Sequence, residues 1–140
     1  MTWEHRSNRL RRIRPQLHEG TSVAGIERKN VNSPDESVDY GDQGKSARVS
    51  IGISGFGLGS ESTIWLSHLE PGWSWQRNIK PNVDFESCPL HHREYVIAGR
   101  IRYAMDDGTS VEAGAGDHLL IDPGHQAEVV SDETCVVLDW

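Results

Sequence analysis

Residues 88–140 have the sequence CPLHHREYVIAGRIRYAMDDGTSVEAGAGDHLLIDPGHQAEVVSDETCVVLDW, and this stretch decides the fold. Cys88 and His92 stand four residues apart, at the start of a run of strand-like segments. A third candidate metal ligand, His125, follows an Asp-Pro-Gly turn. Glycines stand where the chain needs sharp corners. The pattern is typical of a small double-stranded barrel, which brings ligands from distant parts of the sequence into one pocket.

Alternating apolar and polar residues predict several short strands separated by turn residues. The Asp-Gly pair at 107–108 favours a hairpin, because these residues tolerate positive φ. Short strands with turns every ~8–12 residues are typical of a β-sandwich or barrel, and no long amphipathic helix competes. The predicted strands are Ala47–Ser54, Thr63–Leu69, Glu94–Ala98, Arg100–Met105, Thr109–Ala113, His118–Asp122, Gln126–Val130 and Cys135–Asp139.

The N-terminal part, residues 1–44, is expected to be an extension and a loop that precede the barrel at 45–140. Pro15 interrupts a helix-like pattern, so any helix there is predicted to be short. Residues 30–44 are polar and contain Gly and Pro, which predicts a loop. The helix-like spacing belongs to Trp3, Leu10, Ile13 and Leu17.

Composition and charge exclude several classes of function. The chain has 140 residues, is 36% hydrophobic and has a net charge of −7. No apolar run approaches the ~20 residues of a membrane span, and no secretory h-region is present, so the expected location is the cytoplasm, with both cysteines reduced. Residues 31–140 carry seven Lys/Arg against eighteen Asp/Glu, which argues against nucleic-acid binding. Residues 52–59 are glycine-rich but lack the last glycine of a phosphate loop, so a bulged strand end is predicted instead.

Motifs across residues 45–140 resemble those of the cupin superfamily, and of a subgroup of small single-domain cupins. Gly99 matches the glycine that ends the strand of the first cupin motif. Counted from Gly99, His92 stands at the usual glutamate position and Cys88 at a usual histidine position, while His125 lies two residues before the usual second-motif histidine. The subgroup motifs are PGWxW at 71–75, CxxxH at 88–92, MDDGT at 105–109, GxGD at 114–117 and PGH at 123–125. The resemblance implies an all-β cupin-type double-stranded β-helix, or jelly-roll, barrel.

The side chains of Cys88, His92 and His125 form a candidate metal site. A thiolate and two imidazoles are a borderline-soft donor set that suits Zn²⁺ best, and the resemblance implies Fe, Mn or Ni as alternatives. Three protein ligands would leave a coordination position open for water or substrate. The alternative is structural: a buried cysteine, a core histidine and a turn histidine hydrogen-bonded to the backbone.

Strand alternation from His92 places Glu94 inside the barrel and His91 outside. Glu94 is then either a fourth ligand or a catalytic acid/base with a pKa raised by burial. The competing interpretation is a carboxylate at the barrel rim, paired with Arg100 or Arg102.

Trp73 and Trp75 flank the turn that begins at Pro71-Gly72. They are predicted either to line a substrate pocket, where they would hold an apolar or planar molecule, or to seal one end of the barrel.

These observations predict a metal-dependent enzyme that acts on a small organic molecule, with Glu94 as its proton shuttle. Related cupin domains occur in hydrazine-forming biosynthetic enzymes, so the resemblance implies a biosynthetic role as one possibility. A non-catalytic ligand-binding or sensor module is the second hypothesis, and a site closed by four protein ligands would favour it. A metal-free isomerase or epimerase is the third. Exposed strand edges predict a homodimer.

Overall fold

The computed structural model describes residues 11–13, 21–23, 26–52 and 61–140, where most regular structure is strand. Short helical turns occur at Gly41–Gln43 and Lys80–Asn82 (3-10) and at Trp75–Ile79 (π). The strands are β1 (Arg11–Ile13), β2 (Thr21–Val23), β3 (Ile26–Arg28), β4 (Glu36–Asp39), β5 (Gly44–Gly52), β6 (Glu61–Leu69), β7 (His92–Ala98), β8 (Arg100–Met105), β9 (Ser110–Gly114), β10 (His118–Ile121), β11 (His125–Val129) and β12 (Cys135–Asp139).

Two antiparallel sheets contribute residues to one core. The larger has the strand order β1-β4-β5-β6-β12-β7-β10, the smaller has the order β11-β8-β9, and β2 and β3 form a separate pair. A bridge between Cys88 and His125 extends the smaller sheet by one short segment. One sheet contains the order β6-β12-β7-β10, and the other contains the order Cys88-β11-β8-β9. Together these are the Greek-key orders of a jelly roll, the double-sheet architecture that cupins use. The predicted all-β, cupin-type fold class is therefore confirmed.

Most predicted strands are present, and the differences lie at their ends and before residue 45. Strand β7 begins two residues earlier than predicted, so that His92 belongs to it. Strand β4 lies within the segment 30–44, so the prediction of a loop there is wrong in part. Its polar residues form a strand because they pair with β5. Residues 11–13 form β1 beside β4 rather than part of a helix.

Some predictions lie outside the described residues. They include Trp3, Leu10 and Leu17 of the helix-like pattern and residues 53–59 of the glycine-rich segment. The division of the chain at residues 44 and 45 stays a prediction.

The corner between β7 and β8 depends on Gly99. Its φ is +75°, and a Cβ built there would lie 2.6 Å from the Cα of Cys135. Both the left-handed backbone and the close approach of β12 therefore require a residue without a side chain.

Alternation along β7 divides its side chains between the core and solvent, as predicted. Glu94 and Val96 are buried, whereas Tyr95 and Ile97 are exposed. Val96 packs in one cluster with Ile101 of β8, and burial of each such aliphatic side chain contributes about 1.5–3 kcal/mol. The packed core fixes the direction of Glu94, which shares its face with Val96.

The outer face of the larger sheet exposes Tyr95, Ile97 and Leu120, the last on edge strand β10. The expected homodimer and the expected cytoplasmic location both stay predictions. None of the helices in the described part of the chain is long and apolar enough to cross a membrane.

Candidate metal centre

Three donor side chains meet where three separate segments of the chain come together. His92 is the first residue of β7 and His125 is the first residue of β11. Cys88 is held beside His125 by two backbone hydrogen bonds of 2.8 Å, in which Cys88 N donates to His125 O and Gly124 N donates to Cys88 O. One ligand atom from each of Cys88, His92 and His125 lies within 4.8 Å of the others, as an ion-binding group requires.

Each histidine is oriented by the ring nitrogen that does not face the cluster. Nδ1 of His92 is 2.5 Å from a carboxylate oxygen of Asp139, and its Nε2 lies 3.3 Å from Cys88 Sγ. Nδ1 of His125 donates to the backbone carbonyl of Asp122 at 2.6 Å. A hydrogen bond from one nitrogen fixes the tautomer and leaves the other nitrogen available as a ligand, which is the usual arrangement of metal-bound histidine.

The donor set also fits a metal ion by size. Zinc bonds of ~2.3 Å to sulfur and ~2.0 Å to nitrogen at a tetrahedral angle imply a sulfur–nitrogen separation of roughly 3.5 Å. The Sγ–Nε2 distance of 3.3 Å between Cys88 and His92 is close to this value. The structural alternative correctly describes the His125 bond to the backbone. It gives no reason for the three donor atoms to converge.

The pKa values of the cluster reflect strong coupling between its members. Burial alone would raise the pKa of Cys88, but hydrogen bonds with His125 and His92 lower it to about 7. Burial alone would lower the pKa of His92, but its hydrogen bonds to Asp139 and Cys88 raise it to about 10. In the absence of a metal ion, His92 is therefore largely protonated at neutral pH, whereas Cys88 is near the midpoint of its titration.

Glu94 lies inside the protein, and the interpretation of it as a rim carboxylate paired with arginine is wrong. It is 7% exposed, accepts a short hydrogen bond from the Tyr103 hydroxyl and lies 3.7 Å from His92 Nδ1. Burial raises its pKa, and the bond from Tyr103 partly offsets that rise. Arg100 and Arg102 instead contact surface carboxylates, Glu112 and Glu128.

A cavity of about 320 Å³ adjoins the cluster. Trp73 and Trp75 both line it and are both buried, at 8% and 4% exposure, so the two predicted interpretations, pocket wall and core residue, describe the same position. His91 is exposed, in agreement with its predicted outward direction, and its Nδ1 lies 3.4 Å from a carboxylate oxygen of Asp122.

Two residues of the site, Asp139 and Tyr103, were not predicted from the sequence. Asp139 lies on the same strand face as the buried Cys135 and Val137, and Tyr103 lies on the same face as the buried Ile101. Strand periodicity could therefore have placed both side chains inside.

Neither the scan of protein-family models nor the search of curated proteins finds a match to the chain. Similar solved structures include a Lactobacillus farciminis oxalate decarboxylase in complex with formate, at 17% identity over 70% of this chain and 28% of that one, with a TM-score of 0.46. A Bacillus subtilis oxalate decarboxylase with Mn(II) centres is 24% identical over 69% of this chain and 25% of that one, with a TM-score of 0.45. A Rhizobium leguminosarum protein of unknown function is 18% identical over 66% of this chain and 78% of that one, with a TM-score of 0.40.

The strand order is that of a double-sheet jelly roll, which is the fold that the resemblance of the motifs to those of cupins predicts. The chain spans about a quarter of the length of those decarboxylases. With TM-scores below 0.5, the likenesses carry no argument about activity. The subgroup of small single-domain cupins stays a prediction.

Proposed function

We propose that Cys88, His92 and His125 bind one divalent metal ion and that the protein is a metal-dependent enzyme acting on a small organic molecule. The observation that supports this is the convergence of three donor atoms beside an apolar cavity, with each histidine held by its other nitrogen. Zinc suits the sulfur and nitrogen donors best, and iron, manganese or nickel are the alternatives.

The residues around the cluster have distinct roles in this proposal. A metal ion bound there would polarise a substrate oxygen or nitrogen, or lower the pKa of a bound water. Asp139 orients His92, and the Asp122 carbonyl orients His125. Glu94, whose pKa is raised by burial, accepts or returns the proton that the reaction moves, and Tyr103 holds its carboxylate in place.

A catalytic site is favoured over a closed binding module by the position of Glu94. Glu94 is not in the group of Cys88, His92 and His125; it belongs to a second group of possible ligands, with His92 and Asp139, and it also accepts a hydrogen bond from Tyr103. Three protein ligands leave a position open for water or substrate. The biosynthetic role that the resemblance implies remains an expectation, as does the sensor module.

A second candidate function is a metal-free thiol enzyme. Cys88 Sγ lies 3.3 Å from His92 Nε2, and His92 Nδ1 lies 2.5 Å from the Asp139 carboxylate. This is the arrangement of a nucleophile, its base and the residue that orients the base. The same atoms cannot be a free nucleophile and a metal ligand at once, so metal content separates the two candidates.

Elemental analysis of protein purified without a polyhistidine tag tests the proposal. We expect about one zinc per chain in the wild type and in His91→Ala, a matched control that removes an exposed neighbouring histidine. Cys88→Ser, His92→Ala and His125→Ala should each lose the metal while keeping the circular dichroism spectrum of a folded β protein. Absence of stoichiometric metal in the wild type, even after reconstitution, would refute the metalloenzyme and leave the thiol enzyme.

A further inference from the structure

Three hydroxyl groups form a hydrogen-bonded row, here called the hydroxyl row, on the wall of the cavity. The hydroxyl oxygens of Tyr40 and Ser46 are 3.2 Å apart, and those of Ser46 and Ser67 are 2.7 Å apart. All three residues line the cavity that adjoins the metal cluster. Ser46 and Ser67 stand opposite each other on β5 and β6, so the pairing of these strands fixes their positions.

The hydroxyl row has one more donor than it uses. Each hydroxyl carries one proton, and the two hydrogen bonds use two of the three protons. Within the described part of the chain, these hydroxyls make no further hydrogen bond. A phenol is a better donor than an aliphatic alcohol, which favours donation from Tyr40 to Ser46. If Ser67 also donated to Ser46, a residue that is only 6% exposed would keep an unused proton, so Ser46 donates to Ser67 and the proton of Ser67 is the one left over.

The described neighbours of Ser67 offer this proton no acceptor. On the inner face of the sheet they are Ser46 on β5, Val137 on β12, and Trp65 and Leu69 on its own strand. Apart from Ser46, none of these side chains has an oxygen. Ser67 lines the cavity and is only partly buried, so a molecule in the cavity can contact it.

A largely apolar space separates the hydroxyl row from the metal cluster. Ser67 on β6 and His92 on β7 have β12 between them, and two strand spacings are roughly 10 Å. Leu69, Ile101 and Val137 are among the apolar residues that line the cavity. Its volume of about 320 Å³ is roughly twice the ~150 Å³ that holds one benzene molecule. One ring with a substituent at each end matches this space.

We infer that Ser67 donates a hydrogen bond to an acceptor at one end of a largely apolar ligand, whose other end carries an oxygen donor for the metal ion. The contact with the metal rests on the proposed function, whereas the bond from Ser67 does not require a metal. A ligand that displaced water from Ser67 without replacing its hydrogen bond would lose affinity. Ser67 therefore selects among ligands of the same shape.

Two probes of nearly equal shape test the inference. 4-Acetylbenzoate and 4-isopropylbenzoate share a ring and a carboxylate, but only the acetyl group has an acceptor oxygen. Isothermal titration calorimetry measures their affinities for the metal-free and the zinc-reconstituted full chain. Ser67→Ala should weaken binding of 4-acetylbenzoate by roughly 3- to 10-fold and leave that of 4-isopropylbenzoate within about twofold, as expected for loss of one hydrogen bond.

Thr63→Val is the matched control, because the Thr63 hydroxyl contacts Ser50 across the same two strands at 2.8 Å but does not line the cavity. It should leave both affinities within about twofold, as expected for a hydroxyl that meets no ligand. A crystal structure of the wild type with 4-acetylbenzoate needs no variant. It should place the acetyl oxygen within about 3.2 Å of Ser67 Oγ.

Three results would overturn the inference: equal losses for both probes in Ser67→Ala, an acetyl oxygen bound away from Ser67, or no binding of either probe to folded, zinc-loaded protein. Zinc should tighten both probes by the same factor, because both carry the same carboxylate. A Ser67 effect without tightening by zinc would support the bond from Ser67 and refute the open metal site of the proposed function.

Discussion

Replacement of Tyr103 by phenylalanine tests whether the site holds a buried, ionised glutamate. The Tyr103 hydroxyl donates to the Glu94 carboxylate, and both side chains are buried. A hydrogen bond to a charged group contributes about 1.5–3 kcal/mol net. Tyr103→Phe should therefore lower the free energy of unfolding by about 2–3 kcal/mol at pH 8.

Tyr40→Phe is the matched control, because Tyr40 lines the same cavity and contacts the neutral Ser46 hydroxyl at 3.2 Å. A neutral hydrogen bond contributes about 0.5–1.5 kcal/mol, so Tyr103→Phe should cost about 1–2 kcal/mol more than the control. Urea unfolding of metal-free protein, followed by circular dichroism, measures both changes.

The difference between the stability costs of Tyr103→Phe and Tyr40→Phe should change with pH in one direction. Burial raises the pKa of Glu94, so its contribution to stability is fully present below the pKa of an unfolded glutamate and is lost as pH rises through the folded value. The hydrogen bond from Tyr103 lowers the pKa of Glu94, so loss of that bond should raise this pKa further. The excess cost of Tyr103→Phe over Tyr40→Phe should therefore grow over a pH series that rises from about 4.3, the pKa of an unfolded glutamate, to pH 9. Equal costs of the two substitutions across this range would refute the ionised glutamate.

Three further predictions concern the cluster and the corners. Asp139→Asn should weaken zinc binding about 10- to 100-fold in competition with a chelator, because it replaces the carboxylate that orients a ligand, and unchanged affinity would contradict that role. In metal-free protein, iodoacetamide should alkylate Cys88 before Cys135, at a rate that rises through pH 7, since their pKa values are about 7 and about 11; zinc should suppress the reaction, and peptide mass mapping identifies the site. Gly99→Ala should destabilise the fold far more than Gly108→Ala in thermal unfolding, because both have positive φ but only a Cβ at position 99 meets neighbouring backbone; equal shifts in Tm would contradict the close approach.

Periodicity and motif spacing were sufficient to predict the strands after residue 90 and the convergence of the three donors. His92 and His125 each begin a strand, and Cys88 lies in an isolated bridge four residues before His92, so local sequence carries much of the information. Strand β4 was not predictable because Val38 is its single apolar residue, and only pairing with β5 makes it a strand.

The partner of His92 was missed for a different reason. Asp139 lies 47 residues further along the chain, and the two meet only because β12 pairs with β7. The pairing of sequence-distant strands is a property of the whole sheet, and alternation within one strand does not reveal it.

The dispersed origin of the cluster has a consequence for folding kinetics. Cys88 and His92 are neighbours in sequence, but His125 and Asp139 reach them only after β11 and β12 have docked. An ion that needs all of these groups gains its full affinity only in the native arrangement, so it stabilises the native state more than any state in which β11 or β12 is undocked. Zinc would then slow unfolding more than it changes the rate of folding, so that its removal shortens the lifetime of the native state.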